Sequence, residues 1–175
     1  MKEAGKESGF ETTIWATNTT NYIKAMEFIQ QSLAAINIKV KVEPMENGAL
    51  ADALWAVEDP KDAKVQMYFG GWSPSTGEAD WAIRPLFSSD SFPPNSYNIS
   101  YYSSKEVDKG LKEGLATSDE GERQKIYDDV QKTIWTDMPW VPISNPDNIF
   151  GKKSNLEGIV LLPDGGLSVT ELQIK

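Results

Sequence analysis

The sequence predicts an α/β fold, a β-sheet with helices on its faces, and three observations carry that prediction. Phe10 to Thr17 (FETTIWAT) is β-branched and aromatic, as a strand requires. Tyr22, Met26, Ile29, Leu33 and Ile36 recur at steps of four and three, which puts them on one helical face. Ile38, Val40 and Val42 then alternate with Lys39, Lys41 and Glu43, the pattern of a half-buried strand. In that order they make a β–α–β unit, whose two strands run parallel.

Each further element has its own signal. The first strand leads through Asn18-Thr19-Thr20-Asn21, four good helix-capping residues, into the amphipathic run. Pro44, with no N–H to give a ladder, is expected to end the second strand. Asn47 to Glu58 (NGALADALWAVE) reads as a second helix, and Val65 to Trp72 (VQMYFGGW) as a third strand. Asp80 stands where a side chain caps the short helix WAIRPLF. Ser91 to Tyr102 is a proline- and tyrosine-rich connection without a clear period. Val107, Leu111 and Leu115 mark the next helix, and Ile126, Val130 and Ile134 another, with Asp119 as the cap between them. The Pro139-Trp140-Val141-Pro142-Ile143 stretch suits an edge strand or an extended crossing. Ile159 to Leu162 and Leu167 to Ile174 read as short strands around a turn at Pro163-Asp164-Gly165-Gly166.

Composition narrows the function. A chain of 175 residues is the size of one domain. Its 17 basic and 26 acidic residues give a formal charge of −9, which repels phosphate backbones, so no nucleic-acid partner is expected. The absence of cysteine and histidine removes thiolate nucleophiles, histidine triads and imidazole or thiolate metal ligands. No cofactor motif, metal site or catalytic residue is expected. No stretch approaches the roughly 18 apolar residues of a membrane span. Lys2-Glu3-Ala4-Gly5 reads as the last turn of a helix stopped by a glycine, and the chain is expected to be a fragment of a longer protein.

The candidate binding residues lie on the loop that follows the third strand, GGWSPSTGEADW from Gly70 to Trp81. In open α/β sheets ligands sit outside the carboxyl ends of the strands, which is where this loop begins. Gly71, Trp72, Ser73, Ser75, Thr76, Gly77 and Glu78 are its ligand-binding candidates, joined by Tyr97 and Tyr101 as aromatic cleft walls. Each also has a plain structural role open to it. Trp72 and Trp81 are of a type that packs in cores. Ser75 and Thr76 can bond loop amides, the glycines can serve tight turns, and the tyrosines can be ordinary half-buried packing.

The order of these marks resembles the C-terminal lobe of the dipeptide and oligopeptide-binding proteins, family 5 of the extracellular solute-binding proteins that serve bacterial ABC importers. The matching residues are Lys2-Glu3-Ala4-Gly5 with Gly9-Phe10, and the Gly71-Trp72 loop with Gly77-Glu78-Ala79-Asp80-Trp81. The helix start at Tyr102-Ser103-Ser104-Lys105-Glu106-Val107-Asp108 and the Pro139-Trp140-Val141-Pro142 crossing complete the set. Within the family the loop wording is most similar to glutathione-binding proteins. The resemblance implies a periplasmic-binding-protein-like lobe with a mixed β-sheet, residues 1–175 forming this single lobe of a two-lobed parent. It also implies a non-enzymatic role in capturing a short peptide or glutathione. The implied partners are the N-terminal lobe of the same chain and an ABC importer permease. The implied compartment is the periplasm, or the cell surface as a lipoprotein. General peptide binders of the family place an aspartate after the GW to hold the ligand's α-ammonium group. Ser75 stands at that position here.

Two readings from other classes stay beside this one. Glu78 and Asp80 as a carboxylate pair suggest a glycosidase-like hydrolase, but two residues apart on a loop they need not converge. Oxygens from Ser75 to Asp80 suggest a calcium-stabilised interaction module, but their spacing matches no EF-hand.

Overall fold

The computed structural model describes residues 1–162 and 165–175. They form two compact units, Met1–Trp72 with Ser89–Tyr101, and Ser73–Ser88 with Tyr102–Lys175. The fold is α/β.

In the first unit, strand β1 (Phe10–Thr17) is central in a three-stranded parallel sheet of order β2-β1-β3, with β2 at Ile38–Met45 and β3 at Met67–Tyr68. Helix α1 (Thr20–Ala34) connects β1 to β2, and the Thr19 hydroxyl caps it by accepting from the Tyr22 amide at 3.4 Å. Alternation along β1 then sorts the core into two layers. Ile14 and Ala16 pack with Ile38, Val40 and Met26 of α1. Trp15 points the other way, into Leu50 and Leu54 of helix α2 (Asn47–Trp55) and Ile99. Trp15 also donates from its indole N–H to Glu43 at 2.7 Å, and this bond and the Lys41 ammonium hold the Glu43 carboxyl below its ordinary value, the lysine more strongly.

Several boundaries differ from the sequence expectation. Pro44 does not end β2, which runs on to Met45. The strand lies at the sheet edge, where a missing N–H on the outward side breaks no ladder bond. Ile36 lies beyond α1 and is exposed, because Asn37 turns the chain into the left-handed region at φ 64°. Gly9, at φ +79°, lies so close to the Asn37 carbonyl that a Cβ there would collide with it. Helix α2 stops at Trp55 instead of Glu58. Pro60 disfavours helical backbone at Asp59, whose carboxylate caps a single 3-10 turn, Pro60–Asp62, by accepting from the Lys61 amide. Only Met67 and Tyr68 of the third stretch pair as a strand. The Gln66 side chain takes over the next position, its carbonyl oxygen accepting from the Thr13 amide at 2.8 Å.

The expected terminal turn is present. The Gly5 amide bonds the Lys2 carbonyl and the Lys6 amide bonds the Met1 carbonyl, the paired bonds of a helix stopped by a left-handed glycine.

The second unit is built on helices α3 (Ala79–Phe87), α4 (Lys105–Ala116) and α5 (Glu120–Asp137). Ile83, Val107, Leu111, Tyr127 and Val130 form its core. Ser104 caps α4 and Asp119 caps α5, the latter accepting from the Glu122 amide at 2.7 Å. Leu115, expected on the buried face of α4, is exposed. Residues 139–143 form no strand and run as an irregular crossing. Two short antiparallel pairs follow, β4 (Leu156–Glu157) with β7 (Gln173–Ile174) and β5 (Val160–Leu161) with β6 (Leu167–Ser168). Strand pairing in the chain is therefore both parallel and antiparallel. The turn expected at Pro163-Asp164-Gly165-Gly166 includes Pro163 and Asp164, which lie outside the described residues.

Candidate functional site

Gly71, Trp72, Tyr97 and Tyr101 belong to the first unit, and Ser73, Ser75, Thr76, Gly77 and Glu78 to the second.

In the first unit, the parallel ladder ends where the Phe69 amide donates to the Trp15 carbonyl at 2.8 Å, and the chain then leaves the carboxyl end of β3. Gly70 follows, and Tyr68 folds its phenol over it so closely that a Cβ would collide with the ring. Gly71 is exposed, and Trp72 is half-buried. The Trp72 ring meets Tyr97 at 5.4 Å between centroids, and Tyr97 meets Trp55 edge-on at 5.9 Å. These are attractive aromatic geometries, and they leave Tyr97 45% exposed in the middle of the row. Tyr101 lies outside the row. It stacks edge-on against Phe92 at 5.3 Å with positive φ, and burial raises its phenol pKa. Sequence reasoning missed Trp55, since its place at the end of an apolar helix gives no sign that it would meet a loop aromatic.

In the second unit, Ser73, Ser75, Thr76, Gly77 and Glu78 are all exposed. The Thr76 hydroxyl accepts weakly from the Glu78 amide at 3.4 Å, the loop-stabilising bond open to it from the sequence. Glu78 forms an ion pair at 2.6 Å with Arg123 in the first turn of α5. The Arg123 guanidinium also lies over the Tyr127 ring, 5.6 Å from its centroid.

Asp80 corrects the sequence expectation. It does not cap α3, whose cap residue is Glu78 with no side-chain cap bond. It sits one residue inside the helix, buried. Its carboxylate accepts from Arg84 Nε at 2.9 and 3.1 Å, from Arg84 Nη2 at 2.6 Å and from the Tyr127 hydroxyl at 2.9 Å. Arg84 Nη2 continues to the Leu111 carbonyl at 2.5 Å, so one buried network ties α3 to α4 and α5. The Asp80 hydrogen bond raises the Arg84 pKa. Burial, and then the bond to Asp80, raise that of Tyr127. The spacing of Asp80 and Arg84, four apart on a helix, was the available signal for the pair. Arg123 and Tyr127 had none. Trp81 is also corrected: it is exposed, on the solvent side of α3 opposite Ile83 and the core.

Among the described residues, no three His, Cys, Asp or Glu side chains are grouped to hold a metal ion, and no helix is long and apolar enough to cross a membrane.

Residues 1–94 match a family described as bacterial extracellular solute-binding proteins, family 5 Middle, which is more than half of the chain. The chain belongs to this family. Over 176 aligned residues it is 39% identical to the glutathione-binding protein GsiB of Salmonella choleraesuis, with 100% of this chain and 34% of that protein covered. Among solved structures it is similar to the periplasmic binding protein DppA of Helicobacter pylori in complex with the peptide STSA. There the TM-score is 0.70 and the identity 36%, over 81% of this chain and 26% of that one. A dipeptide-binding protein of a Pseudoalteromonas species, in complex with Met-Leu, aligns at a TM-score of 0.77 and 25% identity over 99% of this chain and 34% of that one. The family 5 chain thus spans about a third of the length of the relatives it matches.

Proposed function

We propose that this chain is one lobe, the C-terminal one, of an exported two-lobed solute-binding protein. The parent captures a short peptide or glutathione and delivers it to the permease of an ABC importer. The observation that carries this is the aromatic row of Trp72, Tyr97 and Trp55 in the first unit, beyond the carboxyl end of β3, where α/β sheets receive ligands. Relatives named for glutathione and for peptides, aligned along the whole chain or most of it, supply the ligand class.

Gly71, Trp72, Ser73, Ser75, Thr76, Gly77, Glu78, Tyr97 and Tyr101 are the proposed ligand contacts. An N-terminal lobe closes over them from the other side. The crossing and the last strands favour such a second body. Val141, Ile143, Ile149, Val160, Leu167 and Ile174 are exposed, and two-residue strand pairs gain little stability by themselves. The role is non-catalytic. Glu78 and Asp80 are each bonded to an arginine, so neither is a free carboxylic acid for hydrolysis or an open oxygen ligand for calcium. The parent works in the periplasm or on the cell surface as a lipoprotein.

Ser75 sets the preference between ligands. A serine gives a ligand ammonium group a neutral contact where an aspartate gives a charged one, a loss of about 1–2 kcal/mol for an ordinary peptide. Glutathione, with two carboxylates against one ammonium, also escapes the repulsion of that aspartate. The test is isothermal titration of the parent and its Ser75→Asp variant with glutathione and a neutral dipeptide. The preference is expected to move from glutathione toward the dipeptide. An unchanged affinity ratio contradicts the placement of Ser75 at the ligand.

A further inference from the structure

Resting on that reading, we infer that Arg123 determines specificity by cancelling the charge of Glu78, so that the loop admits a ligand with more carboxylates than ammonium groups. Residues 73–88 contain two acidic side chains, Glu78 and Asp80, and one basic one, Arg84. Arg84 is paired with Asp80 and donates to the Leu111 carbonyl, which leaves Glu78 as the uncompensated charge of the segment. The chain supplies its counter-charge from 45 residues away, through Arg123 at 2.6 Å. Tyr127 positions the arginine: its ring underlies the Arg123 guanidinium, and its hydroxyl, donating to Asp80, fixes the ring against α3.

The consequence is electrostatic. An exposed glutamate beside Ser75 and Thr76 would oppose any ligand of net negative charge and leave a zwitterionic dipeptide nearly indifferent. Paired with Arg123, it opposes neither. Both members are accessible, with side-chain exposures of 34% for Arg123 and 59% for Glu78, so the pair is a tunable surface charge and not part of the core.

The experiment is isothermal titration at low ionic strength of the two-lobed parent and its Arg123→Gln, Glu78→Gln and doubly substituted forms, each with glutathione and with the dipeptide Met-Leu. Arg123→Gln is expected to weaken glutathione about twofold more than Met-Leu, the scale of one unit charge acting across about 10 Å of water with little screening at low salt. Glu78→Gln is expected to shift the ratio the opposite way, since it leaves Arg123 unbalanced, and the double form to bring it back toward the wild-type value. Raised salt is expected to shrink every shift. A merely structural Arg123 would weaken both ligands equally, with no rescue by the second substitution. Should Arg123→Gln fail to fold, the opposite-signed shift in Glu78→Gln carries the test. Binding of both ligands at one constant ratio in all forms overturns this inference alone. Binding of neither by the wild type overturns the ligand reading and this inference with it.

Discussion

Asp80 and Glu78 are two residues apart in sequence, and removing the charge of each has a different consequence. Asp80 is buried and holds four hydrogen bonds from Arg84 and Tyr127. Asp80→Asn leaves the guanidinium without its counter-charge in a poorly solvated place, which is expected to lower unfolding free energy by about 3 kcal/mol in urea titration. Glu78→Gln is expected to leave the unfolding midpoint unchanged, because an exposed pair is screened by solvent. Tyr102 gives a pH signature. Its hydroxyl donates to Asp137 at 2.5 Å, and burial, followed by that bond, moves the phenol from 10.0 to about 12. The folded state thus favours the neutral phenol, so this contribution is complete below about 10 and is lost as pH rises through about 12. Tyr102→Phe is expected to flatten the alkaline limb of stability against pH, read from urea midpoints. At this scale the sequence was legible where one local preference dominated, as at Asp119. It misled at Asp80, where a capping preference and a four-residue ion pair competed for one carboxylate.

Helices α4 and α5 approach closely through glycine. A Cβ at Gly114 would lie 2.9 Å from the Tyr127 ring, the ring whose hydroxyl holds Asp80. Gly114→Ala is therefore expected to destabilise by about 1–2 kcal/mol, overpacking outweighing the roughly 1 kcal/mol gain in helix propensity. Gly48 in α2 faces open space, and Gly48→Ala is expected to stabilise by about 0.5–1 kcal/mol. Thermal melts of the two variants should shift in opposite directions. The elements themselves were readable because β1 is β-branched and aromatic, and α1 and β2 keep their periods over fifteen and eight residues. The third strand was not, since ladder pairing stops after Tyr68 while its β-rich composition continues to Trp72. The two-residue strands after Leu156 have too few residues to show a period.

For the whole molecule, the account is that one wall of a ligand site is built here and the other lies in the rest of the parent. On the function proposed above, neither wall alone removes a peptide from water, so affinity depends on both. Of the proposed contacts, the sequence suggested where the loop lies, at the end of a parallel strand. It carried no trace of the Trp55 contact or of Arg123, which depend on tertiary packing. The most direct measurement is calorimetric titration of glutathione into the two-lobed parent and, in parallel, into the 175-residue chain. The account predicts saturable binding by the parent and binding weaker by at least about a hundredfold, some 2.7 kcal/mol, by the chain alone. Binding by the isolated chain at about micromolar affinity, roughly −8 kcal/mol, would contradict it.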